Sequence, residues 1–182
     1  ALIQLASIGL VEIRPRRGAT VPEMSADRLC EMFEVMAELE SMCGRLAARR
    51  ILPAEQARLK EAHQACEAAR DAGKHDFYYQ LNEVFHRCIY DASHNEFLAE
   101  QATALHRRLR PYRRLQLRVR NRMASSFTEH ANIVEAINAG RSEDAAALLR
   151  SHVVVQGERF TDLVATLRQM NSPSEPAPAG AL

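Results

Sequence analysis

The sequence is poor in the residues that interrupt or cross-link a chain. Of 182 residues, only seven are glycine and seven are proline, tryptophan is absent, and there are four cysteines. The cysteines lie far apart and form no CxxC pair, which excludes a zinc-ribbon pattern and gives no disulfide framework. We therefore expect free thiols in a cytoplasmic protein, at Cys30, Cys43, Cys66 and Cys88.

The sequence also lacks an excess of charge and a long apolar run. Its formal net charge is +1, so any contact with nucleic acid has to come from a local basic patch. No apolar stretch approaches the roughly 20 residues of a membrane helix, and we recognise no secretory signal. The first residue is Ala1 rather than methionine, and we expect that further residues precede it.

Helix-forming residues fill the long stretches between the few glycines and prolines. Apolar residues recur there at spacings of three and four, which predicts amphipathic helices. Ser25 is a suitable N-cap for the first long helix, and Pro111 should bend the fourth. The predicted helices cover about residues 25–50, 53–72, 74–92, 95–123, 126–138 and 142–169. Short connections between them predict an all-α fold, a six-helix antiparallel bundle.

The two ends of the chain differ from this bundle. Residues 1–8 have the pattern of the end of an apolar helix, and residues 10–22 that of a β-hairpin with a basic turn. Residues 171–182 are rich in proline, alanine and serine and have nothing to bury, so we expect a disordered tail. We therefore divide the chain into segments 1–22, 23–170 and 171–182.

Three of the seven histidines differ from the rest by position: His86 lies on the apolar stripe of the third predicted helix, His130 near the start of the fifth, and His152 between apolar residues in the middle of the sixth. Imidazole nitrogen is a good ligand for zinc, nickel, copper or iron, and helical bundles often build metal sites from facing helices. Asn82 precedes His86 by one turn and is a candidate weak fourth ligand. A histidine in a core is more often a hydrogen-bonded structural residue, so both interpretations stay open. We expect the other histidines to face solvent, namely His63, His75, His94 and His106.

Three segments resemble a known family. They are GLVEIRPRRGATV at 9–21, LNEVFHRCIYDASHNEFL at 81–98 and EHANIVEAINAGRSEDAAALLRSHV at 129–153. Together they resemble GntR-type transcription regulators of the FadR subfamily, with the six-helix, VanR-like variant of the FCD sensor domain. The resemblance implies that residues 1–22 are the C-terminal part of a winged helix-turn-helix. Its wing would contact DNA through Arg14, Arg16, Arg17 and Gly18.

The resemblance also implies a ligand set for the bundle. Asn82, His86, His130 and His152 would hold a divalent metal, zinc as first choice and nickel as second. Relatives commonly have aspartate at the position of Asn82, and often arginine at the position of Met36. The family pattern further implies a homodimer, a palindromic operator, a small organic-acid effector and, most commonly, repression.

Tyr112 and Arg113 are our candidates for effector contacts. Arg113 follows the apolar Leu109 by four residues on an arginine-rich helix. An anion would pair with such a cation while filling an open metal position.

Two other classes of function remain open. A metal-dependent enzyme needs a base beside the metal, and no acidic residue has a suitable spacing from all three histidines. Glu129 adjoins His130 in sequence, but neighbouring helical residues point about 100° apart, which disfavours it as that base. The second alternative is a metal-free sensor or dimerisation domain in which the histidines are packed and hydrogen-bonded.

Overall fold

The computed structural model describes residues 12–14, 18–20 and 25–154. Its helices are α1 (Ala26–Arg50), α2 (Pro53–Asp71), α3 (His75–Ala92), α4 (Glu96–Gln116) and α5 (Arg122–Asn138), followed by α6 over 142–154. Two short strands precede them, β1 (Glu12–Arg14) and β2 (Gly18–Thr20). The prediction of an all-α, six-helix bundle is confirmed.

The helix ends follow from local chemistry. The Ser25 side chain accepts a hydrogen bond at the start of α1, and the Asn95 side chain does the same for α4. Pro53 is the first residue of α2, where its missing N–H costs no helical hydrogen bond. Gly140 adopts a φ of +71° after α5, a conformation that glycine reaches without strain.

The junction between α4 and α5 differs from the prediction. Helix α4 ends at Gln116 instead of near Met123, and α5 begins at Arg122 instead of Ser126. The apolar pattern continues to Val119, but that side chain is 43% exposed, so its burial does little to stabilise a longer helix. Asn121 takes a left-handed φ of 63°, which reverses the chain direction and starts α5 four residues early.

Helix α1 packs against α3, α4 and α5, while α2 packs against α3 and α5. The main core lies between them and includes Met36, Phe85, Ile89, Leu109 and Ile133. Within this core lies an unusual set of buried polar and charged side chains: Glu40, Asn82, His86, His106, Arg113, Arg122, His130 and His152. Groups of this kind are costly to bury unpaired, so each needs a polar or charged partner within the core.

Some predicted core positions are wrong. The spacing of apolar residues predicts that Phe77 and Leu115 face inward, yet they are 49% and 44% exposed. Tyr78 and Tyr79 are buried in place of Phe77. Because apolar residues occupy all three adjacent positions, periodicity alone could not fix the rotation of α3 about its axis.

The hairpin pairs β1 with β2 antiparallel, and Arg14 lies opposite Gly18. Gly18 has a φ of +77°, as expected for a tight turn. The predicted DNA contacts Arg16 and Arg17, residues 1–11, the continuation of α6 to about 169 and the tail at 171–182 lie outside the described residues. None of the described helices is long and apolar enough to cross a bilayer. All four cysteines are free thiols.

Candidate metal centre

Three helices each bring one buried histidine to the same point in the bundle. His86 comes from α3, His130 from α5 and His152 from α6, and none is more than 2% exposed. One ring nitrogen from each lies within 4.8 Å of the other two. The Nε2 atoms of His130 and His152 are 3.4 Å apart. Zinc–nitrogen bonds of about 2.0–2.1 Å in tetrahedral geometry place two nitrogens about 3.3 Å apart, so this spacing suits one shared ion.

A carboxylate fixes the proton of His152. Its Nδ1 lies 2.5 Å from Glu129 Oε2. An ionised carboxylate only accepts hydrogen bonds, so Nδ1 carries the proton and Nε2 keeps its lone pair. A histidine that donates one N–H to a carboxylate and keeps a lone pair on its other nitrogen is the usual arrangement of a metal ligand.

Glu129 is itself held by a buried cation. Arg122, 2% exposed, donates from Nη1 to Glu129 Oε1 at 2.7 Å and from Nη2 to Oε2 at 3.0 Å. Burial alone would raise the pKa of Glu129, but His152 and Arg122 lower it to about 2. Within α5, Glu129 points away from its neighbour His130, which disfavours it as a partner of that ring. Its contact is with His152 on another helix, which spacing within one helix cannot reveal.

Burial keeps the three histidines neutral. It lowers the pKa of His86 and of His130, and that of His152 to about 4. The ring of His130 stacks on Phe85 at a centroid distance of 4.1 Å, and its Nδ1 has no hydrogen-bond partner among the described residues. Neutral imidazole is the form that binds a metal, so no proton has to be removed first at neutral pH.

His86 faces a second carboxylate, Glu40, which the sequence analysis missed. Its Nδ1 lies 3.0 Å from Glu40 Oε2, although the contact is not aligned as a linear hydrogen bond. Glu40 Oε1 accepts from Tyr90 Oη at 2.8 Å and from Arg113 Nη1 at 2.8 Å. Burial would raise the pKa of Glu40, yet His86 and Arg113 hold it well below its usual range. The sequence feature that could have indicated this role is the position of the acidic Glu40 on the apolar stripe of α1.

His106 is buried, so the prediction that it faces solvent is wrong. Its Nδ1 lies 3.0 Å from Tyr90 Oη and 3.2 Å from Arg113 Nη1. It follows the buried Ala102 by four residues and precedes the buried Leu109 by three, which places it on the core stripe of α4. His94 is exposed as predicted, while His63 and His75 are half-buried.

A small cavity is connected to the histidines through Arg113, which lines the cavity and contacts His86. Its lining includes Asn82, Arg113 and Arg122, and its volume of about 10 Å³ has room for one water molecule. Asn82, one turn from His86, is 4% exposed. Tyr112 packs half-buried against the main core and is not one of the residues that line the cavity. Met36 is fully buried, and the cation beside His86 comes from α4 as Arg113.

The sequence matches a known domain family and is similar to known transcription regulators. The model of the FCD domain matches residues 31–154. The chain is 30% identical over 111 residues to the HTH-type transcriptional regulator McbR of Escherichia coli K12, covering 61% of this chain and half of that protein. It is 28% identical over 163 residues to a probable D-xylose utilization operon transcriptional repressor of Paenarthrobacter nicotinovorans, covering 84% and 67% of the two sequences.

Solved structures agree on the fold. The structure of E. coli McbR/YncC matches with a TM-score of 0.73 at 24% identity, over 93% of this chain and 82% of that one. A putative transcriptional regulator GntR from Rhodococcus sp. RHA1 matches with a TM-score of 0.69 at 17% identity, over 88% and 76%.

Proposed function

The chain belongs to the FCD-domain family and is homologous to GntR-type transcription regulators, and from this we propose that it is the sensor part of a DNA-binding repressor whose bundle holds a divalent metal. The observation that carries the metal site is the convergence of three buried, neutral histidines. Two of them face carboxylates through Nδ1, which leaves the lone pair of each ring on Nε2, the atom that would bind the metal.

We propose zinc as the first choice of ion and nickel as the second, since three imidazole nitrogens suit both. A bound dication would supply the positive charge that attracts an anionic effector. Asn82 would add a weak neutral fourth ligand from α3. Three protein nitrogens otherwise leave at least one coordination position for water or an effector atom.

The effector proposed is a small organic acid. The cavity beside the histidines is lined by two buried guanidinium groups, from Arg113 and Arg122, which are suited to a carboxylate. The cavity has room for only about one water molecule, so an organic acid has to move side chains to enter. Such a movement favours one conformation of the bundle over another, which is the basis of sensing. Tyr112 remains a candidate contact only if the cavity extends towards it.

The DNA-binding role rests on the relatives and on the hairpin. The alignment spans half of McbR, so the activity of a whole regulator is a proposal for this chain. We propose that residues 1–22 belong to a winged helix-turn-helix whose wing carries Arg14, Arg16, Arg17 and Gly18. Residues 23–170 would form the sensor and dimerisation domain and 171–182 a tail. A homodimer would present two such readers to a palindromic operator.

A metal-free sensor is the second candidate, and one observation favours it. Arg113 Nη2 donates to His86 Nε2 at 3.2 Å, so that His86 has a polar partner without a metal. The relatives are named as transcription regulators, which leaves no support for the enzyme alternative.

Metal content of the full-length regulator distinguishes the two candidates. His130→Ala and His152→Ala should each lose most bound metal, measured by elemental analysis of protein purified without added chelator. His94→Asn is the matched control because His94 is exposed and has a φ of 48°, which asparagine tolerates. Unchanged metal content in both alanine variants would contradict the assigned site, and absence of metal from the wild type would support the metal-free sensor.

A further inference from the structure

The Nε2 atom of His86 carries one lone pair, and in this structure that lone pair accepts a hydrogen bond from Arg113. Arg113 Nη2 lies 3.2 Å from this atom. Because guanidinium only donates hydrogen bonds, Nε2 must be the acceptor. The proton of the neutral ring then sits on Nδ1, which faces Glu40 Oε2 at 3.0 Å. The contacts with Arg113 and with Glu40 both fit the neutral tautomer of His86 that has its proton on Nδ1.

Arg113 cannot easily leave this position. Its side chain is 2% exposed, and Nη1 donates to the fully buried Glu40 at 2.8 Å. The same Nη1 lies 3.2 Å from His106 Nδ1, and Tyr90 Oη closes the group by donating to Glu40. Nη1 therefore holds the guanidinium in place through Glu40, and Nη2 donates to His86.

Two uses of the lone pair exclude each other. A nitrogen that accepts a hydrogen bond from Arg113 cannot at the same time donate that lone pair to a metal ion. A guanidinium so close to the ligand nitrogen would also repel a dication. Without an anion, occupation of the site would take the His86 acceptor away from the buried Nη2 of Arg113, which costs free energy.

Resting on the proposed metal site, we propose that Arg113 is a positioning residue that makes metal binding and carboxylate binding depend on each other. In the metal-free chain Arg113 occupies His86 Nε2. A carboxylate in the adjoining cavity gives Nη2 a new acceptor and neutralises part of the positive charge. Arg122 lines the same cavity, but both of its Nη atoms are already paired with Glu129. Arg113 is therefore the residue that would exchange His86 for the carboxylate.

Zinc affinity with and without a carboxylate tests the proposal. Full-length wild-type protein is titrated with zinc against a chromogenic chelator, in acetate and in perchlorate at equal ionic strength, with acetate as the carboxylate probe. We expect zinc to bind about tenfold more tightly in acetate, in line with common coupling strengths between two sites. Equal affinity in the two salts would overturn the proposal while leaving the metal site itself intact.

Substitution of Arg113 gives the second arm. Arg113→Met leaves Glu40 buried without its cation, so the paired variant Arg113→Met with Glu40→Gln removes both charges together. We expect this pair to bind zinc equally in acetate and perchlorate. The control Arg107→Met changes an exposed arginine of α4 and should keep the wild-type difference. An acetate effect that persists in the paired variant would overturn the role of Arg113.

Nitrogen NMR of the imidazole rings tests the premise without metal. In the metal-free wild type, His86 should show a proton on Nδ1 and a hydrogen-bonded Nε2, and the paired variant should lose the shift that this bond causes. A proton on Nε2 of His86 would refute the proposal. Absence of metal from the wild type under every condition would instead contradict the proposed function, so the two failures are distinguishable.

Discussion

Replacement of Glu129 by glutamine perturbs the metal centre without touching a ligand. Glu129 Oε2 accepts from His152 Nδ1, and its two oxygens receive both Nη groups of Arg122. Glutamine has nearly the same shape but no charge, and its NH2 group cannot accept a hydrogen bond. Whichever way the amide turns, one Nη group of Arg122 loses its acceptor, and with the NH2 group at the position of Oε2 His152 loses its acceptor as well.

The expected loss of metal affinity follows from the outer-shell role of Glu129. Removal of such a partner commonly weakens metal binding about 10- to 100-fold, or about 1.4–2.7 kcal/mol. Folding should also suffer, because Arg122 is 2% exposed and would lose its counter-charge. Breaking a buried pair costs about 3–5 kcal/mol, and since the Glu129 side chain is 30% exposed we expect the lower end.

The two effects are measured separately. Zinc affinity is obtained by competition with a chelator at a temperature where circular dichroism shows the variant folded, and stability by urea denaturation. Glu135→Gln is the matched control on the same helix, since Glu135 is exposed and pairs with Arg141 at the surface. Wild-type zinc affinity in folded Glu129→Gln would refute the claim that this carboxylate holds His152 for a metal.

Three further outcomes follow from single positions. Asn82→Asp should tighten zinc binding, since a carboxylate is a stronger ligand than an amide; equal or weaker binding in chelator competition would mean that Asn82 is not a ligand or that Arg113 captures the new charge. Burial lowers the pKa of His152 from 6.5 to about 4, so between these pH values a proton binds to His152 in the unfolded chain but not in the folded one. The metal-free protein should therefore keep its full stability above pH 6.5 and lose stability as the pH falls to about 4. Urea midpoints that stay constant over this range would contradict a buried neutral His152. Gly44→Ala should destabilise the bundle by about 1–3 kcal/mol, because a Cβ would stand 2.3 Å from Leu149 Cδ1 and 3.1 Å from the Ala145 carbonyl oxygen; a thermal midpoint equal to that of the wild type would refute this close approach of α1 and α6.

The bundle was predictable because its information is local. Caps such as Ser25, the breakers Pro53 and Gly140, and stripes of period 3.6 are all written within one helix. The selection of His86, His130 and His152 over the other histidines came from their positions along the predicted helices, together with resemblance to a family. Errors arose where local patterns were ambiguous, as at Phe77 and Tyr78, or where a polar residue interrupted a stripe, as at His106.

The sequence by itself determined the helices, the family and the three histidines, since backbone propensity and burial periodicity act between neighbours along the chain. Only the tertiary structure decided which groups surround those histidines. Glu40 is separated from Arg113 by 73 residues, and Glu129 from His152 by 23. Such pairs depend on the rotation and offset of packed helices, which no spacing within one helix encodes. The protonation of His86 and His152, and the competition of Arg113 for His86, follow from these contacts alone.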